Sequence, residues 1–138
     1  MDKDTALPIA LLALRAGLGI FLVLWSIDKL AQPETTIKVF AHFYGTDITL
    51  TAARVIGSLE LMLSVALTAG LWKTWTYGTG LLLHSISTLS SYHKLLSPFG
   101  QNHLFIAGIP VLAAFFALFL LRHEDTLLSG GRTVARKS

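Results

Sequence analysis

The stretch that decides the fold is Ala6 to Leu30, ALPIALLALRAGLGIFLVLWSIDKL. A run of about 25 largely apolar residues is long enough to cross a bilayer with some tilt. Arg15 stands inside it and Lys29 closes it. A guanidinium in hydrocarbon is expensive, so Arg15 demands a partner or a task.

Three more apolar stretches follow, 52–72, 75–92 and 104–121, each near spanning length. With 53% hydrophobic and only 14% charged residues, the chain has far more apolar material than a small soluble core needs. These runs are continuous and rich in Leu and Ala, which argues against the short alternating strands of a barrel. The expected fold is therefore an all-α membrane protein, a four-helix transmembrane bundle with spans near 6–30, 52–72, 75–92 and 104–121. The first run is too long for a signal-peptide core, and Leu30-Ala31-Gln32-Pro33 reads as a helix end.

The domain expected is residues 1–124, with 125–138 as a flexible cytoplasmic tail marked by Gly130-Gly131 and scattered charge. Between the first two spans, Pro33 suits a first helical position and Gly45 a stop, which predicts a short interfacial helix over Pro33–Tyr44. An even number of spans puts both termini on one side. That side carries Lys3, Lys73, Arg122, Arg132, Arg136 and Lys137, against Lys38 and Lys94 with Lys29 opposite. The positive-inside rule then predicts an inner-membrane protein with both ends in the cytoplasm. The same dispersal explains the net charge of +3 without any nucleic-acid partner.

The chain has no cysteine, which excludes thiol nucleophiles and thiolate-held metals or clusters within it. It also lacks a Gly-rich phosphate loop and a nucleophile elbow, and no catalytic residue is assigned. The polar residues of the spans carry more information because they form stripes. Arg15, Gly19, Leu22, Ser26 and Lys29 share one face of the first helix; Gly57, Glu60, Ser64 and Thr68 share one of the second; Tyr77, Gly80, His84, Ser87 and Ser91 one of the third. Lipid cannot satisfy these faces, so they should converge inside the bundle. Depth counted along the helices predicts an Arg15–Glu60 ion pair with His84 as third member. The plain reading of that group is a structural staple; the sharper one is a proton relay, or a site for the carbonyl of a lipid-soluble compound such as a quinone. A second group, at the outer face, comprises Asp28, Lys29, Arg54, Tyr92, His93, Lys94, Asn102 and His103, with His42 nearby. Its histidines come from separate loops and lack a ligand spacing, so an aromatic and polar rim is expected and no metal.

Leu14-Arg15-Ala16-Gly17-Leu18-Gly19-Ile20-Phe21, continuing to Asp28-Lys29-Leu30, resembles the opening of DoxX-family membrane proteins. Gly57-Ser58-Leu59-Glu60-Leu61 with Ala69-Gly70-Leu71 is similar to the family's second helix, and Phe99-Gly100-Gln101-Asn102 with Ile106-Ala107-Gly108 to the start of its last. The resemblance extends to Arg122, with Ser26, Lys73 and Gln101 departing from the family's usual residues. It implies a four-helix bundle and carries Arg15, Lys29, Glu60 and Asn102 as signature positions. It further implies an accessory subunit of a quinone-linked or oxidative-stress-related redox system, quinone being the one cofactor suggested. Partners expected are the lipid bilayer and a membrane or peripheral redox protein, with homo-oligomers left open. The alternative is a membrane scaffold or assembly factor without ligand chemistry; a small transporter fits less well, since no inverted repeat is visible.

Overall fold

The computed structural model describes residues 2–130, and among them the regular structure is all helical. Helix α1 runs from Lys3 to Ala31; the Asp2 carboxylate caps it by accepting from the Thr5 N–H at 2.9 Å. Pro33 then opens α2, Pro33–Val39, which widens into a π-helical turn over Phe40–Tyr44 and stops at Gly45, where φ is +62°. The short helix expected between the first two spans is thus present, in two pitches.

Thr49 caps α3, Leu50–Thr68, through the Ala52 N–H. Gly70 ends it in the left-handed conformation, φ +67°, with Leu71 N–H donating to Ala66 O and Gly70 N–H to Leu67 O, both at 2.9 Å. Those two bonds satisfy carbonyls that the helix end would otherwise orphan. Helix α4, Lys73–Ser90, follows after a tight turn, then α5, Tyr92–Leu96, a 3-10 helix over Gly100–Ala107, and α6, Gly108–Leu120.

Among the described residues three helical stretches are long and apolar enough to cross a membrane: Lys3–Ala31, Leu50–Thr68 and Gly100–Leu120. The fourth expected span is a helix as well, but Tyr77, His84 and several Ser and Thr residues dilute its apolarity. Large apolar side chains face outward on all four long helices, among them Leu24, Leu59, Met62, Leu82, Leu89, Phe116 and Leu120. In water such a surface is an aggregation hazard; in a bilayer it is the solvated face. The chain is an integral membrane protein.

Residue levels show how the bundle is assembled. A Cβ on Gly19 would meet Thr68, Ser26 Oγ lies 3.2 Å from Ser64 Oγ, and Gly57 abuts Lys29 and Leu30. Helices α1 and α3 are therefore antiparallel, with their two polar, small-residue stripes facing each other. Similarly, Gly78 abuts Phe119, Gly80 abuts Phe115 and Gly108 lies against Thr88, so α4 and α6 are antiparallel along the whole of α6. The buried core, Leu11, Leu18, Leu67, Tyr77, Phe115 and Leu118, lies where the four helices meet. We call the end where α1 begins the near end, and the end carrying α2 the far end.

Because α1 has 29 residues and α3 only 19, the first turns of α1 project past the end of α3. Arg15 consequently sits level with Gly70 and Lys73 at the near end. The segment after α6 folds back there: Asp125 is fully buried, and Gly130 N–H donates to Ala69 O at 2.9 Å. Up to Gly130, the stretch expected to form a free tail is packed against the bundle; the rest of that tail lies outside the described residues.

Candidate functional site

The ion pairs differ from the expected one. Lys29 Nζ lies 2.7 Å from Glu60 Oε2, with the two side chains 17% and 24% exposed, whereas Arg15 pairs with Asp125. The expected Arg15–Glu60 pair fails on level: Glu60 stands beside Lys29, and Lys29 lies 14 positions from Arg15, about 21 Å along a helix axis. Counting depth from the start of each apolar run misplaced Arg15, because α1 overhangs its neighbours.

The Arg15 site closes the near end. Its Nη1 donates to both carboxylate oxygens of Asp125 (2.9 and 2.8 Å), and its Nη2 to the carbonyls of Leu127 and Leu128 (2.8 and 3.0 Å). Tyr77 Oη also donates to Asp125, and Lys73 Nζ to the Asp125 carbonyl. The Arg15 side chain is 1% exposed and Asp125 not at all, so neither charge is left to lipid. Leu128 adopts a left-handed backbone, φ +47°, a strained conformation for a branched residue that the two carbonyl contacts on either side hold in place. The group is a latch between the first helix and the segment after the last one.

A cleft does open at the far end, between α1, α3 and α4, with α2 and the π-helical turn as its fourth wall. Its volume is 580 Å³, within the range of small-molecule sites. Phe21, Leu22, Trp25, Val39, Phe40, Ile56, Leu63, Leu83 and Ile86 make the walls apolar. A few polar groups interrupt them: the Lys29–Glu60 pair, Asp28, His84, Thr35, Thr36, Ser64 and Ser87. Lys29 also lies over the Trp25 ring, 5.4 Å from its centroid, which fixes the ammonium from two sides.

His84 reaches the cleft from mid-α4. Its ring stands edge-on to Phe21 (centroids 5.7 Å apart) and tilted against Phe115 (5.5 Å), and Nε2 is 3.2 Å from the Gly108 carbonyl. A carbonyl only accepts, so Nε2 carries the proton of that bond. Asp28, Lys29, Glu60 and His84 are thus brought together around one cleft, while Arg15 serves elsewhere.

The remaining rim residues do not line it. Arg54 is exposed on α3, Tyr92 and His93 stack on each other at 3.8 Å, Asn102 Nδ2 donates to Ser97 O at 3.0 Å, and His103 is exposed. Asp125 and Tyr77, which hold the Arg15 group together, are not brought to it by any spacing in the sequence. The available signal was the chain's own demand: a buried cation at the near end needs a carboxylate from the same end, and Asp125 is one of the few there.

The family described as DoxX matches residues 10–94, which takes in most of α1, all of α2, α3 and α4, and the start of α5. Asn102 and the motifs around α6 fall outside that match, as does Asp125. No curated protein and no solved structure matches the chain.

Proposed function

The chain belongs to the DoxX family, and from that membership and the far-end cleft we propose an accessory subunit of a quinone-linked or oxidative-stress-related redox system, embedded in the inner membrane. The observation that carries the reading is a cleft with apolar walls, aliphatic and aromatic, that holds one ion pair and one histidine. Such a lining suits a flat ring compound with oxygens at its edge: the walls take the ring, Lys29 Nζ is a donor for an oxygen, and His84 presents a second polar contact. A quinone supplies two-electron redox chemistry when bound; the chain's own residues bind and orient it, so electrons must pass to or from a partner protein.

The reading includes α4 as a fourth span. It lies beside α6 throughout, and its ends carry exposed aromatic residues, Trp72 and Trp75 at one and Tyr92 at the other, the residues that favour a membrane–water boundary. Four spans would place both termini on one side, and the Lys and Arg residues that the sequence carries at Lys3, Lys73 and Arg122 and after it favour the cytoplasm for that side. The cleft then faces the outer half of the bilayer, with α2 lying along the interface above it.

The test is binding of a short-chain quinone to the protein in lipid nanodiscs, with mass spectrometry of the polypeptides and quinones that co-purify under mild extraction. Quinone retention that falls about tenfold or more in Glu60→Gln and Lys29→Met supports the reading. A stoichiometric protein partner without quinone, and no binding by wild type, overturns it in favour of a scaffold.

A further inference from the structure

Within this proposed site, one side chain has its hydrogen-bonding role fixed by the protein, and that role discriminates between ligands. His84 Nε2 donates to the Gly108 carbonyl, so in the neutral imidazole Nδ1 has no proton and can only accept. The ring is held between Phe21 and Phe115, and no carboxylate among the described residues forms an ion pair with it. Among the described residues Nδ1 has no hydrogen-bond partner, yet it is not sealed: the one buried side-chain nitrogen or oxygen lacking a partner there is Arg15 Nε. His84 itself lines the cleft, the open space on its side of the bundle.

We infer that His84 Nδ1 is a hydrogen-bond acceptor that makes the cleft select a ring bearing a hydroxyl, the reduced hydroquinone or another phenol, over the same ring bearing only carbonyls. A ring carbonyl brought against Nδ1 sets acceptor against acceptor, whereas a hydroxyl completes the bond. Lys29 Nζ does not discriminate in this way, since an ammonium donates equally well to a hydroxyl or a carbonyl oxygen. Glu60 also only accepts but is engaged by Lys29, and Asp28 is exposed, so specificity is assigned to the histidine and general oxygen binding to the lysine. A site built to pair a substrate hydroxyl rejects the analogue that lacks it far more strongly than an apolar pocket does.

The inference rests on the cleft being a ring-compound site, and the experiment separates the two. Affinities of decylubiquinol, decylubiquinone and the dimethyl ether of the same hydroquinone are measured anaerobically on the full chain in nanodiscs, for wild type, His84→Phe and His84→Gln. Phe keeps an aromatic ring between Phe21 and Phe115 but has no acceptor; Gln restores one. The expected result is that wild type binds the hydroquinone about tenfold or more tighter than either the quinone or the ether. His84→Phe should lose that ratio while still binding all three, and His84→Gln should regain part of it. Equal affinities in wild type, or a ratio unchanged in His84→Phe, overturn the inference and leave the cleft as a quinone site. Binding of none of the three by folded wild type overturns the site itself and the inference with it. Thermal unfolding of each variant establishes that the comparison is made on intact bundles.

Discussion

Arg15 and Asp125 stand 110 positions apart and meet at 2.8 Å with 1% and 0% of their side chains exposed. The most costly residue of the first span is thereby answered by a carboxylate beyond the last one. With Tyr77 and two backbone carbonyls also engaged, the guanidinium spends most of its donors on closing the near end of the bundle.

Removing one partner leaves the other charge buried and alone. Arg15→Met and Asp125→Leu are each expected to lower unfolding free energy in detergent by about 3–5 kcal/mol. The double variant should recover most of the loss, because an apolar pair needs no compensation. Thermal melts of all four proteins in one detergent form the cycle. Tyr77→Phe, which removes one hydroxyl from the carboxylate, should cost about 1–3 kcal/mol.

The latch and the cleft lie at opposite ends, so they separate in ligand binding. The folded Arg15→Met/Asp125→Leu protein should bind a quinone within about twofold of wild type, whereas Glu60→Gln should lose affinity while losing about 1 kcal/mol or less of stability, its pair being open to the cleft. Parallel titrations and melts check both halves of the statement.

Two glycines of α1 distinguish packing from propensity. A Cβ on Gly19 would collide with Thr68 Oγ1 and press against Thr68 Cβ, while one on Gly17 meets nothing within 4 Å. Gly19→Ala should force α1 and α3 apart and lower Tm; Gly17→Ala should leave stability unchanged or raise it by about 0.5–1 kcal/mol. The pair of melts decides whether close approach of these helices holds the bundle.

At the start of α1, hydrogen bonds from the Thr5 side chain and backbone hold the Asp2 carboxyl below the ordinary carboxylate range. A lowered pKa in the folded state means that the cap's contribution is complete above the unfolded value and disappears as pH falls through the folded one. Amide exchange at Thr5 should therefore speed up in acid beyond its intrinsic pH dependence, and Asp2→Ala should abolish that excess.

The sequence made the helices legible because run length, cap residues and stripes are local properties. The small helix from Pro33, the facing stripes of α1 and α3, and the polar face of α4 could all be read from spacing. What could not be read was level. Nothing local says that α1 overhangs α3, and so Arg15 was placed beside Glu60 and its true partner was left in a tail. Lys29, Glu60 and His84 were recognised as important one by one; that they border one cleft depends on α2 folding back over the gap, which is a tertiary fact.

The overhang and the latch also set an order of events. Ribosomes make Arg15 early and Asp125 more than a hundred residues later, so the first helix must enter the bilayer with its cation unanswered. Until the chain has been synthesised past Leu128, the near end stays open. A polypeptide cut short before that point keeps a guanidinium without its carboxylate at the near end.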